Sequence, residues 1–172
     1  MRERSRGVTA SDAAKLATQR SVSGAVWDKL HGSFGGSAYT EHGNTREPVI
    51  AAWAATQFGV EPSNRLFYAE TERRHLATPD GLRLSEHGTL ELCEIKTTVK
   101  PWRSIPRNYL RQVWWQQYVL GAERTLVVWE QHRDFVPVDE PCCQWVDRDD
   151  DQIAQLVGLA NQMLAALARS AS

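Results

Sequence analysis

Two charges, Glu94 and Lys96, sit two residues apart inside a stretch that, Glu91 aside, reads as a buried strand. Leu90-Glu91-Leu92-Cys93-Glu94-Ile95-Lys96-Thr97-Thr98 has the length and composition of a strand, with Glu94 and Lys96 in its second half. Side chains two apart on a strand share a face, so Glu94 and Lys96 project together and Ile95 points the other way. Upstream, Pro79-Asp80-Gly81 is turn chemistry leading into Leu82-Arg83-Leu84, and Glu86-His87-Gly88 is a second turn. The segment is therefore predicted to be a hairpin with an acid at its entrance and an acid and a lysine inside. Charges in an apolar strand cost free energy unless they are paired or hold a metal.

That pattern has a chemical reading. Hard divalent cations take oxygen ligands, and Mg2+ combines one or two carboxylates with waters and substrate phosphates. Asp80 and Glu94 supply the carboxylates, and the Ile95 carbonyl adds a ligand. Lys96 beside them is placed to orient or deprotonate a metal-bound water, or to stabilise charge on a phosphate under attack. The competing reading is a surface hairpin with a Glu–Lys pair; Asp80 and the apolar strand favour the site.

Charge distribution says more than total charge. The 172 residues carry a formal net charge of -1, which gives no global sign of nucleic-acid binding. From Ile95 to Ala122 there is no acid, whereas Lys96, Lys100, Arg103, Arg107 and Arg111 all fall there. Arg2, Arg4 and Arg6 crowd the N-terminus, and Asp139, Glu140, Asp147, Asp149, Asp150 and Asp151 gather near the other end. A basic stretch that begins at the proposed metal site suits a phosphate backbone. Cys93, Cys142 and Cys143 have neither metal-ligand spacing nor the pattern of a disulfide framework. No apolar run approaches the length of a membrane span, so a soluble cytoplasmic protein without a membrane partner is expected.

One domain spanning residues 1–172 is expected: an N-terminal helical segment over 8–30, a core over 40–130 and a C-terminal helix over 147–169. Ser11 or Thr9 is the expected cap of the first helix. A loop is expected over 32–36. Apolar residues at 50, 53, 54 and 58 predict a helix in which Pro48 fits only the first turn, unless a longer helix kinks there. A helix over about 108–120 puts Tyr109, Gln112 and Gln116 on one face, a polar stripe in a segment otherwise rich in tryptophan. Strands are expected over 66–69, 125–129 and 135–138, with 125–129 beside the Glu94 strand. His75 is assigned no chemistry, and packing is preferred over base stacking for at least one of Trp114 and Trp115.

Asp80, a short hairpin and Glu94-Ile95-Lys96 resemble the PD-(D/E)xK nuclease signature. Further blocks in the same order are Arg4 ahead of Gly7-Val8-Thr9-Ala10-Ser11, then Gly43 with Glu47-Pro48, then Tyr109, Gln112 and Gln116. Together these are similar to the YqaJ-like viral recombinases, the group of the lambda-exonuclease-like enzymes, over nearly the whole chain. The resemblance implies an α/β fold with a mixed central sheet of four or five strands flanked by helices. It implies two Mg2+ (or Mn2+) ions held by Asp80 and Glu94, with Glu47 a ligand directly or through water. Lys96 would activate the attacking water, and Gln112 would contact a site carboxylate, a water or the substrate. Arg4 and Ser11 would bind the 5′ phosphate of a DNA end, with Arg6 an alternative to Arg4. Tyr109, Lys100 and Arg103 would lie against the DNA.

The implied activity is 5′-to-3′ exonuclease action on double-stranded DNA ends. The products would be 3′ overhangs for phage-type recombination, made by a homotrimer working with a single-strand annealing protein. An endonuclease of the same fold is the first alternative, disfavoured by the Arg4 and Ser11 block. A catalytically inactive DNA-end-binding subunit is the second, disfavoured by the intact Asp80, Glu94 and Lys96 set.

Overall fold

A nine-residue strand that carries three charges must be covered on both faces by partners for them. The computed structural model, which describes residues 2–32 and 36–170, shows how this is done. Chain order runs α1 (Arg2–Arg6), α2 (Ala10–Lys15), α3 (Ser21–His31), α4 (Ala38–Phe58), β1 (Glu61–Pro62), β2 (Phe67–Tyr68), β3 (Leu76–Ala77) and β4 (Gly81–Leu84). It continues with β5 (Leu90–Thr98), α5 (Arg107–Leu120), β6 (Arg124–Arg133), β7 (Val136–Pro137), β8 (Cys142–Asp147) and α6 (Asp150–Ser170). Part of the loop expected over 32–36, residues 33–35, lies outside the described residues.

The main sheet has six strands, not four or five. β5 and β6 pair in parallel with Glu94 opposite Val127, and α5 is the crossover between them. β4 runs antiparallel to β5 with Gly81 opposite Cys93, and β1 pairs with β4. The far edge of β6 is shared by β8 and β7, both antiparallel. β8 adds a strand to which the sequence reading assigned no element; residues 131–141 before it read as connection. β2 and β3 form a separate small ribbon.

Alternation along β5 and β6 divides the core in two. One face meets α2, α3, α5 and α6, where Val8, Leu16, Val113, Trp115, Val127 and Leu164 are buried together. The other meets α4, whose Ile50, Ala51 and Ala54 pack on Cys93, Ile95, Leu126 and Val128. A fully buried side chain such as Ile50 contributes about 1.5–3 kcal/mol. Ile95 belongs to the α4 face, and Glu94 to the α5 face, as the period of two requires.

Helix α4 starts ten residues before Pro48, with Ser37 as cap accepting from the Thr40 N–H. Pro48 therefore sits in the middle of a 21-residue helix rather than in its first turn. The turns before it hold the polar residues that hid this helical start from the sequence. The N-terminal arm is tied down by a short bridge: Val8 N–H donates to Arg74 O at 2.7 Å and Leu76 N–H to Val8 O at 2.8 Å. Gly7 is required beside it, since a Cβ there would lie 2.5 Å from Arg74 O. His75, in the same bridge, is buried against Trp115 with Nδ1 3.0 Å from the Tyr118 hydroxyl, so its role is structural. Among the described residues no helix is long and apolar enough to cross a membrane.

Candidate active site

The site forms where β4 stops covering β5. Pairing reaches only Gly81 and Cys93, so the next N–H on that edge of β5, that of Ile95, lacks a strand partner. Asp80 takes it through Oδ2 at 2.7 Å, while the Asp80 N–H donates to Cys93 O at 3.0 Å. The Ile95 carbonyl lies on this same edge by the alternation of the ladder. Gly81 fixes the corner: a Cβ there would meet Val60 Cγ1 at 2.7 Å, Glu61 O at 3.1 Å and Cys93 Cβ at 3.2 Å. Burial pushes the Asp80 pKa well above the carboxylate range, and the neighbouring Glu94 charge adds to it. Lys96 and the Ile95 N–H oppose the rise, and Glu47 reinforces it.

Glu94 is 2 % exposed and is held from the α5 side. Lys96 Nζ and Gln112 Nε2 both donate to its Oε1, and Gln116 Nε2 donates to Oε2 at 2.6 Å. The two glutamines are one helical turn apart, so α5 presents them as a fork. Helix α5 begins after Pro106 and ends at Gly121, whose φ of 69° is the left-handed C-cap conformation. The sequence reading chose Gln112 alone; Gln116, four residues on along the same stripe, is the partner it passed over. Gln117 serves packing, donating to Thr125 Oγ1 and Val146 O, both at 3.0 Å.

Burial disfavours the charge on Lys96, but Glu94 and Asp80 outweigh it and raise its pKa. The ammonium also lies over the Tyr109 ring at 5.1 Å. Tyr109 rests on Trp102 at 5.2 Å between centroids, and Trp102 stacks on Trp129 at 5.3 Å. This stack roofs the site and anchors the loop that carries Lys100 and Arg103, both exposed. Arg111 takes no part in that basic surface: its Nε donates to Ala14 O at 2.9 Å. Trp114 and Trp115 are both core residues, with indole N–H groups bonded to Asp147 O and Leu76 O.

On the other side of the site, a cavity of about 340 Å³ is lined by Arg4, Ser11, Lys29, Thr78 and Gln112, among others. Arg4 Nη2 donates to Thr78 Oγ1 at 2.8 Å, which draws the N-terminal arginine to within two residues of Asp80. Thr78 was not singled out from the sequence, because only the Val8–His75 bridge brings the two segments together. Thr9, not Ser11, caps α2, in a capping box with Asp12, and Ser11 is left exposed at the cavity wall. Lys29 pairs with Asp12 at 2.5 Å and closes the wall between α2 and α3.

Glu47 is exposed on α4 and is near enough to affect Asp80 electrostatically. Gly43, one turn earlier on the same helical face, has its Cβ position 3.6 Å from Thr97 Oγ1, so this face of α4 lies over the end of β5. Among the described residues no three His, Cys, Asp or Glu side chains are close enough together to form a complete metal cage. Asp80 and Glu94, with the Ile95 carbonyl, would offer a cation oxygen donors only. That set suits a hard divalent cation that keeps several waters, and it is wrong for a structural zinc.

A profile of the YqaJ-like viral recombinase domain matches residues 1–123. The fold is similar to the alkaline exonuclease LHK-Exo from Laribacter hongkongensis, at 24% identity over 97% of this chain and 90% of that one, with a TM-score of 0.73. The same protein solved in complex with dAMP superposes with a TM-score of 0.74. A phage-related exonuclease from Haemophilus somnus 129PT matches at 14% identity over 96% of each chain, with a TM-score of 0.70. No curated protein matches the sequence. With the match extending over most of its length, the chain belongs to the YqaJ-like viral recombinase domain family.

Proposed function

We propose that this chain is a metal-dependent DNA exonuclease acting 5′-to-3′ on double-stranded ends. The observation that carries the reading is the convergence of two buried carboxylates, Asp80 and Glu94, with Lys96 at the open end of β4. A cavity leads from there to Arg4 and Ser11. Asp80, Glu94 and the Ile95 carbonyl would hold Mg2+ or Mn2+, as two ions with Glu47 assisting. Bound there, the ions would supply Lewis-acid activation of water and neutralise the phosphate under attack.

The side chains divide the remaining work. Gln112 and Gln116 hold the Glu94 carboxylate in one orientation, in which its remaining lone pairs would be free to bind the ions. Lys96 donates one N–H to Glu94 and would direct its others towards the attacking water and the phosphate oxygens. Arg4, Ser11 and Thr78 form a pocket for the terminal 5′ phosphate, which sets the length of strand that reaches the carboxylates. Lys100, Arg103 and Tyr109 receive the duplex backbone on the other side. The dAMP held by the Laribacter hongkongensis enzyme is a 5′-phosphorylated mononucleotide, the size of fragment such a pocket would release. The 3′ overhang left behind would pass to a single-strand annealing protein, and a homotrimer is the assembly proposed.

The test is digestion of linear duplex DNA with 5′ phosphates in Mg2+ or Mn2+, beside closed circular DNA and a Lys96→Ala variant. Loss of the linear substrate alone, abolished by the substitution, is expected. Nicked or linearised circles would make the protein an endonuclease. DNA binding without cleavage would make it an end-binding subunit.

A further inference from the structure

Helix α4 is held on the sheet by two different kinds of contact, and Pro48 divides them. Beyond Pro48, Ile50, Ala51 and Ala54 are buried against β5 and β6. Before it, none of residues 38–47 is buried, so that half has no anchor in the core. Proline also lacks the N–H that would bond to the Asn44 carbonyl, which loosens the helix at the joint. Glu47, the acid nearest Asp80 on this helix, is the last residue of the loosely held half.

What holds that half is polar. Arg46 forks onto Glu130 of β6, with Nε to Oε1 at 2.8 Å and Nη2 to Oε2 at 2.7 Å. Glu130 is buried, and Arg46 reaches it from a partly exposed position on the helix. One turn earlier His42 packs on His132 at 4.3 Å between rings, with Phe135 and Tyr39 completing the contact. A fork of two parallel bonds fixes rotation as well as distance, which a single contact does not. Arg46 and Glu47 are neighbours on the helix, so the rotation that seats Arg46 on Glu130 also sets the direction of Glu47. A Cβ at Gly43 would meet Thr97 Oγ1 at 3.6 Å, an ordinary contact distance, so this face of α4 lies directly over the end of β5.

We infer that Arg46 and Glu130 are positioning residues for the metal site. Their ion pair sets the seating of the first half of α4, the half that ends at Glu47 and lies over the end of β5. The inference rests on the nuclease reading of Asp80, Glu94 and Glu47, and concerns a pair that touches neither substrate nor ion.

The experiment is a double-mutant cycle of Arg46→Met with Glu47→Gln. It is read as Mn2+ affinity without DNA, by calorimetry or electron paramagnetic resonance, and as kcat and KM on linear duplex. Each single substitution is expected to weaken Mn2+ binding by roughly 10- to 100-fold, the range for groups that support a metal ligand. The combination is expected to be no worse than Glu47→Gln alone, because Arg46 acts through Glu47. KM for DNA should stay unchanged. Because Arg46→Met leaves a buried carboxylate alone, the neutral pair Arg46→Gln/Glu130→Gln serves as the folded control. It should reproduce the Mn2+ defect while keeping the circular dichroism spectrum. Additive losses in the cycle, or normal Mn2+ affinity in the Gln/Gln protein, would overturn the inference. If Asp80→Asn and Glu94→Gln leave Mn2+ binding untouched, the nuclease reading itself fails, and the clamp with it.

Discussion

Glu91 and Glu94 stand three residues apart on one strand, on opposite faces, and each is 2 % exposed. Their surroundings differ in charge balance. Glu91 receives Arg83 Nε at 2.5 Å and Arg124 Nε at 2.6 Å, and both guanidiniums lie over Trp145. Burial works against its charge, yet the two arginines win and hold its pKa below the usual value. Two cations answer one acid, so nothing further is needed there. Around Glu94 a single lysine answers Glu94, Asp80 and the nearby Glu47, and the other donors are neutral amides. A buried carboxylate alone does not mark a site; one whose neighbours leave negative charge uncompensated does.

The largest effect separating the two acids is catalytic. Glu94→Gln is expected to lower kcat on linear duplex by roughly 10²- to 10³-fold while the protein stays folded. Glu91→Gln should leave kcat per folded molecule unchanged; single-turnover digestion with a folded-fraction control checks both. Next comes cation addition. Mn2+ at about 100 times its dissociation constant should stabilise the unaltered protein by about 2.7 kcal/mol, and should fail to stabilise Asp80→Asn, as read by thermal unfolding.

The third comparison is stability. Breaking a buried ion pair costs about 3–5 kcal/mol, and the partial exposure of Arg83 and Arg124 brings the expected loss for Glu91→Gln to roughly 2 kcal/mol. Urea unfolding measures it. Smallest is the effect of pH on stability, where the acids on the two faces of β5 have opposite signs. The lowered pKa of Glu91 contributes stability present above the ordinary glutamate value and lost as pH falls through the folded value. The raised pKa of Asp80 contributes stability present below the ordinary aspartate value and lost as pH rises through the folded value. In the absence of divalent cations, Asp80→Asn should therefore gain about 1 kcal/mol at neutral pH. It should flatten the decline with rising pH, and Glu91→Gln should flatten the acid limb.

Local pattern made part of this legible. The period of two along β5 placed Glu94 with Lys96 and turned Ile95 away. The stripe of Tyr109, Gln112 and Gln116 identified the face of α5 that meets them. What the sequence concealed depends on partners far along the chain. Nothing in the sequence singled out Glu91; Arg124 is brought alongside it only by the parallel pairing of β5 and β6. Thr78 acquired meaning only when the bridge at Val8 carried Arg4 to it. β8 has no period of its own and exists because β6 leaves an edge to be covered. The polar first half of α4 could not announce a helix, since its contacts with β6 are an ion pair and rings rather than an apolar stripe.

The roof over Lys96 has a spectroscopic consequence. Its ammonium touches Tyr109, Tyr109 touches Trp102, and Trp102 stacks on Trp129, so two of the chain's seven indoles lie within three contacts of the lysine. Indole emission responds to the charge and packing around the ring, and the other five tryptophans lie outside this stack. A change in Lys96, whether by substitution, by a cation at the carboxylates or by an arriving DNA end, would be transmitted to light already emitted by the protein. The chain carries its own optical reporter of the state of its site, with no dye attached.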